Sequence, residues 1–120
     1  MKTTDLYWLA GLLEGEGFFT LRRKGDLLVG VRMTDLDVIQ RVRDLLKFDA
    51  SIHVEERDSC KDIYLIQIHG RRAVGWMMTL YSLMGERRKS RIRECLAGWH
   101  LRKAYRRSPI QRGLSVARLT

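Results

Sequence analysis

Proline occurs once and cysteine twice in the 120 residues of this chain. One proline is too few for a linker-rich chain. Cys60 and Cys95 stand apart, without the spacing of a metal site. They read as reduced thiols of an intracellular protein, with a pairing between them left open. No apolar run approaches the ~18 residues of a spanning helix, which excludes a membrane partner of that kind. Met1-Lys2-Thr3-Thr4-Asp5 lacks the plan of a secretory signal. No targeting signal stands out, and no internal repeat is visible.

Acidic residues are the next scarcity, and they are scarce in one place. Residues 1–70 carry 10 basic and 12 acidic side chains, whereas residues 71–120 carry 13 basic and only 2 acidic. The whole chain has a net charge of +9. So uneven a balance points to a polyanion-facing surface. No basic amphipathic helix with a Trp/Phe face is present, which favours nucleic acid over an anionic membrane.

Hydrophobic residues make up 45% of the chain, enough for one domain with a core. Thr4 or Asp5 can cap a helix through Leu6-Tyr7-Trp8-Leu9 to Glu16, with Gly17 as its stop. Phe18 to Lys24 reads as a strand, Gly25-Asp26 as a turn and Leu27 to Met33 as a second strand. Asp35 opens a helix with apolar positions at Leu36, Ile39, Val42, Leu45 and Leu46. Strands follow at 51–57 and 63–69 around a polar loop. Helices are expected at 71–84 and 87–105, separated by Gly85. The order α-β-β-α-β-β-α-α predicts an α+β domain, with one four-stranded antiparallel sheet carrying helices on one face. The domain is expected over residues 1–105, followed by a basic tail at 106–120.

The stretch Leu9-Ala10-Gly11-Leu12-Leu13-Glu14-Gly15-Glu16-Gly17 is costly for a helix. Glycine costs about 1 kcal/mol relative to alanine, and acids at a helix C-terminus oppose the macrodipole. Gly11 and Gly15 share a face and permit close approach of another backbone, either the chain's own sheet or a second copy. Two copies crossing there would bring their Glu14 and Glu16 carboxylates together, at a cost unless a cation joins them.

"LAGLLEGEGFF" resembles the signature of the LAGLIDADG homing endonucleases, matching it at Leu9, Ala10, Gly11, Leu12 and Gly17, with conservative exchanges at 13–16. The element order is also that family's αββαββα core, so the resemblance covers roughly residues 5–100. It implies a saddle-shaped sheet and Mg²⁺-dependent, site-specific double-strand cleavage of DNA leaving 3′ overhangs. Glu16 then supplies a carboxylate to the metal, with two or more Mg²⁺ ions per dimer. A single motif implies the homodimeric branch, acting on a long pseudo-palindromic site. Leu9, Ala10, Gly11, Leu12, Glu14 and Gly15 become the dimer interface. Near the active site the resemblance points to Asp35, for which a plain N-cap is an equal explanation, and to a cation among Arg87, Arg88 and Lys89. Mobility of an intron or intein is the implied setting, in bacterial or phage cytoplasm or an organelle.

In that fold the open sheet face lies on the major groove. If Phe19 and Leu21 point inward, the groove receives Thr20, Arg22 and Lys24. Leu28, Gly30 and Arg32 share that face on the second strand, as do His53, Glu55 and Arg57 on the third. Both faces of the fourth strand are partly apolar, so Gln67 and His69 rest on an unsettled parity. Arg22, Arg32 and Arg57 suit guanine edges or phosphates equally. Arg102, Lys103, Arg106, Arg107, Arg112 and Arg118 suit the backbone. The rival reading is a non-cleaving binder of the same fold, an intron RNA maturase or a transcription-factor-like protein.

Overall fold

The structure, a computed structural model, describes residues 1–47 and 50–107. Its elements are α1 (Thr3–Glu16), β1 (Gly17–Leu21), β2 (Leu27–Met33), α2 (Leu36–Leu46), β3 (Ser51–Glu55), β4 (Ile63–His69), α3 (Arg71–Tyr81) and α4 (Glu86–Arg107). The four strands form one antiparallel sheet in the order β1-β2-β4-β3. The α+β architecture is the one expected. None of the described helices is long and apolar enough to cross a membrane. The part of the expected tail beyond Arg107 lies outside the described residues.

Alternation along the strands builds the core. Phe19, Leu27, Val29, Val31, Ile66 and Ile68 turn to one face and are buried. Onto them pack Leu9 and Leu13 of α1, Ile39 and Val42 of α2, and Met77 and Leu80 of α3. Each such side chain contributes about 1.5–3 kcal/mol by leaving water. Ile92 and Cys95 of α4 reach the same core. Both cysteines are free, Cys60 exposed and Cys95 buried, so the pairing left open does not form. Burial pushes the Cys95 thiol above its ordinary value, which makes it an inert core residue.

Several boundaries differ from the sequence reading. Lys2, not Thr4 or Asp5, is the N-cap of α1. The first strand stops at Leu21 and the third at Glu55, so Arg22, Lys24 and Arg57 lie outside the sheet. The Arg22 backbone amide bonds the Asp26 carbonyl and its carbonyl accepts from Gly25, which turns the chain earlier than expected. The third helix ends at Tyr81 rather than residue 84.

Gly17 is not a left-handed cap, because its φ and ψ of −79° and 169° are extended. It is required for space: a Cβ there would sit 2.8 Å from the Leu13 Cα and carbonyl oxygen. Gly30 is required for the same reason on the opposite face. A Cβ there would lie 2.5 Å from the tip of the Phe18 ring and 2.7 Å from the Ile66 carbonyl oxygen. Phe18 is the register partner of Gly30 and lays its ring across it, a pairing in which an aromatic covers a strand glycine.

Because backbone as well as side chain blocks the site, Gly30→Ala is expected to lower stability by about 1–3 kcal/mol. Gly11→Ala, which meets open space, should raise it by about 0.5–1 kcal/mol. Denaturant unfolding of the two variants under dissociating conditions checks the opposed signs.

Candidate functional site

Away from the helices, the sheet presents one open face. Register places Thr20 beside Leu28 and Leu28 beside His69, while Arg32 is followed across the sheet by Leu65 and His53. Gly30 lies opposite Gln67. The unsettled parity of β4 is thereby resolved: Gln67 and His69 share the open face with Thr20, Leu28, Arg32 and His53. Arg32, His53 and His69 are exposed, and Thr20, Leu28 and Gln67 half-buried.

Four residues expected on this face stand differently. Gly30 is buried beneath Phe18 and offers nothing to a ligand. Arg22 has left the strand, and its guanidinium donates from Nε and Nη2 to the two carboxylate oxygens of Asp26. Arg57 has left it too, donating from Nε to the Lys61 carbonyl at 2.9 Å. Lys24 sits exposed in the β1–β2 turn. Glu55 keeps its place but is bound to Arg32, whose terminal nitrogen lies 2.9 and 3.1 Å from its two oxygens.

The Arg22 hydrogen bond holds the Asp26 carboxyl below its ordinary value, against an opposing effect of burial, and Asp26 raises Arg22 in return. A folded-state value below the unfolded one stabilises at neutral pH. That contribution is lost as pH falls through the folded value. Asp26→Asn should therefore cost about 0.5–1 kcal/mol at pH 7, and the deficit should fade as pH falls through the lowered folded-state value of Asp26. Unfolding curves across that range check it.

At the C-terminal end of α1 the two glutamates have separate fates. Glu14 Oε1 accepts the Gly85 amide at 2.8 Å, and Arg88 Nε donates to the Glu14 carbonyl at 3.1 Å. The carboxylate thus sits against the positive N-terminal end of α4, which it stabilises. Glu16 is the last residue of α1, exposed, with no hydrogen bond or ion pair among the described residues. Asp35 stands at the N-cap position of α2, where its carbonyl accepts the Ile39 amide. Its side chain makes no capping bond, so the cap accounts for its place but not its carboxylate. Gly17 opposes Val31 and β2 ends two residues later, so Asp35 leaves the sheet at the end where Glu16 enters.

The three basic candidates also separate. Arg88 is spent on Glu14. The Lys89 ammonium lies 5.6 Å from the Tyr81 ring, towards α3. Arg87 is exposed and unpaired among the described residues. With Arg88, Ser90, Arg91 and Thr20 it lines an open groove of about 560 Å³ between α4 and β1. Sequence reasoning passed over Phe18 and Arg91. Phe18 was accessible from strand parity, since it alternates with Phe19. Arg91, whose Nε donates to the Phe19 carbonyl at 2.8 Å, carries no sequence signal.

No three His, Cys, Asp or Glu side chains among the described residues converge on a metal site. A single free carboxylate still fits Mg²⁺, which commonly takes one or two carboxylates and completes its shell with water and substrate phosphates. Of the expected dimer interface, Leu9 and Ala10 are 1% and 4% exposed within their own core and cannot also face a partner. Leu12 is half-buried and Glu14 serves α4. Gly11 and Gly15 are exposed, with open space beside them.

No protein-family model and no curated protein sequence matches the chain. Its fold is similar to that of the group I intron-encoded homing endonuclease I-CeuI complexed with DNA, with a TM-score of 0.63 and 14% identity over 94% of this chain. This chain spans 62% of that one's length. The likeness shows the fold, that of the homing endonucleases.

The different fates of the two acids are open to direct measurement. Glu14→Ala should cost about 0.5–2 kcal/mol by removing the carboxylate that bonds the Gly85 amide at the start of α4. Glu16→Gln should change stability by less than about 0.5 kcal/mol, as surface substitutions do. Thermal unfolding of both variants checks the contrast.

Proposed function

We propose that this protein is a DNA endonuclease of the homing type, active as a homodimer on a long, near-palindromic site. The observation that carries the reading is the unspent Glu16 carboxylate. It projects from the end of α1 beside an acid that the fold has already used, on a scaffold shared with an enzyme solved on DNA. A residue with no structural task, in a position costly for a helix, is what a catalytic ligand looks like.

Two chains crossing at Gly11 and Gly15 would bring two α1 ends together, each carrying one Glu16. The open faces of both sheets would then lie on successive major-groove segments. Glu16 would hold Mg²⁺, with Asp35 orienting water at the same end of the sheet. Such an ion supplies Lewis-acid stabilisation of phosphate charge and a more acidic water. Arg87 is the basic residue of its cluster left available for a phosphate, while Arg88 and Lys89 hold the frame. Cleavage of the two strands across the minor groove by a symmetric pair would leave the proposed 3′ overhangs.

Glu16→Gln is expected to abolish cutting of a randomised duplex library in Mg²⁺ while duplex binding in Ca²⁺ persists. Sequencing of the ends and a gel-shift titration report the two properties separately. Binding without cut ends by the parent chain, given its proper site, would favour the non-cleaving reading. Loss of binding in Glu16→Gln would give Glu16 a structural task instead.

A further inference from the structure

On the open sheet face, Arg32 of β2 and Glu55 of β3 reach across β4 to form two hydrogen bonds of 2.9 and 3.1 Å. Their side chains are 51% and 55% exposed, so the pair is held by neither burial nor a third group. Arg32 is well placed to meet a polyanion on this face, and Glu55 is the acid nearest to it there. A carboxylate facing phosphates is electrostatically unfavourable, and this one takes up the Arg32 Nη2 donor that a phosphate or a guanine edge would also use. We infer that Glu55 is an internal competitor for Arg32: docking of nucleic acid breaks the pair, and Glu55 weakens binding to duplexes whose contacts do not repay its rupture. This rests on the proposed function, since it needs DNA on the open face.

The pair is a specificity device of the repulsive kind, in which an acid lowers affinity for every partner and most decisively for poor ones. Its consequence is measurable without knowing the target site. If the Arg32–Glu55 bond survives binding, its energy is the same in free and bound protein and cancels from the affinity. Charge effects of the two residues then add. If binding breaks it, the effects are coupled. Exposed ion pairs set the scale of that coupling at about two- to fivefold in affinity.

The experiment is a double-mutant cycle on a random-sequence 30-base-pair duplex in Ca²⁺, using the parent chain, Arg32→Ala, Glu55→Gln and the double variant. Both residues are exposed on strand surfaces, and circular dichroism verifies that each variant keeps the fold. Glu55→Gln should tighten binding, by about two- to fivefold more when Arg32 is present than when it is absent. Additive effects of the two substitutions would overturn the inference. So would weaker binding by Glu55→Gln, which would make Glu55 a contact to the duplex. A parent chain that binds no duplex would overturn the proposed function along with it.

Discussion

Helix α1 passes into strand β1 at Gly17 with no residue between them, and much else depends on that junction. The Gly17 amide bonds the Leu13 carbonyl, and the extended backbone leaves the helix at once. A side chain at 17 would strike Leu13, whose own side chain is buried in the core. The direction of β1 is thereby tied to the packing of α1. Both acids preceding the junction inherit fixed positions: Glu14 faces back to α4, and Glu16 faces out at the sheet's end. The costs of glycine and acid at a helix end follow from building strand, core contact and site from nine consecutive residues.

The second dependence is the edge of β1. An edge strand leaves carbonyls unpaired, and uncovered edges invite association. Helix α4 runs along this one and donates to the strand and the residues flanking it: Arg91 to the Phe19 carbonyl, Arg102 to the Arg22 carbonyl just after the strand at 2.7 Å, and Arg88 to the Glu14 carbonyl before it. The basic excess of the C-terminal half is therefore not all surface field. Part of it stitches α4 to the sheet, with guanidinium nitrogens left over to shape the potential of the groove beside Thr20.

What could be read in the sequence divides along physical lines. Period-two alternation in 27–33 and helical spacing in 36–46 depend on local pattern, and both elements appear where expected. The motif's glycines and acids were legible as exceptions to helix rules, as exceptions at functional sites tend to be. Partnership was not legible. That Arg22 turns to Asp26, Arg57 to Lys61, Glu14 to Gly85 and Leu9 into its own core depends on where the strands stop and which faces meet. Gly30 shows the limit clearly: parity placed it on the right face, but only the cross-strand partner shows that Phe18 lies over it.

Those partnerships change how affinity and selectivity divide in the proposed complex. Three of the arginines read as recognition residues in the sequence are already held, Arg22 and Arg57 within turns and Arg32 by Glu55. Before docking, the open face therefore presents mainly Thr20, Leu28, Gln67, His53 and His69, and Arg32 joins them only where a duplex breaks its pair with Glu55. Such a face supplies little of the phosphate attraction that dominates affinity, but it can read base edges. Helix α4 is placed to supply that attraction, since Arg87 is unpaired among the described residues and Arg91 borders the groove. Helix α4 would then bring the sheet to DNA of any sequence, and the sheet would decide which sequence keeps it.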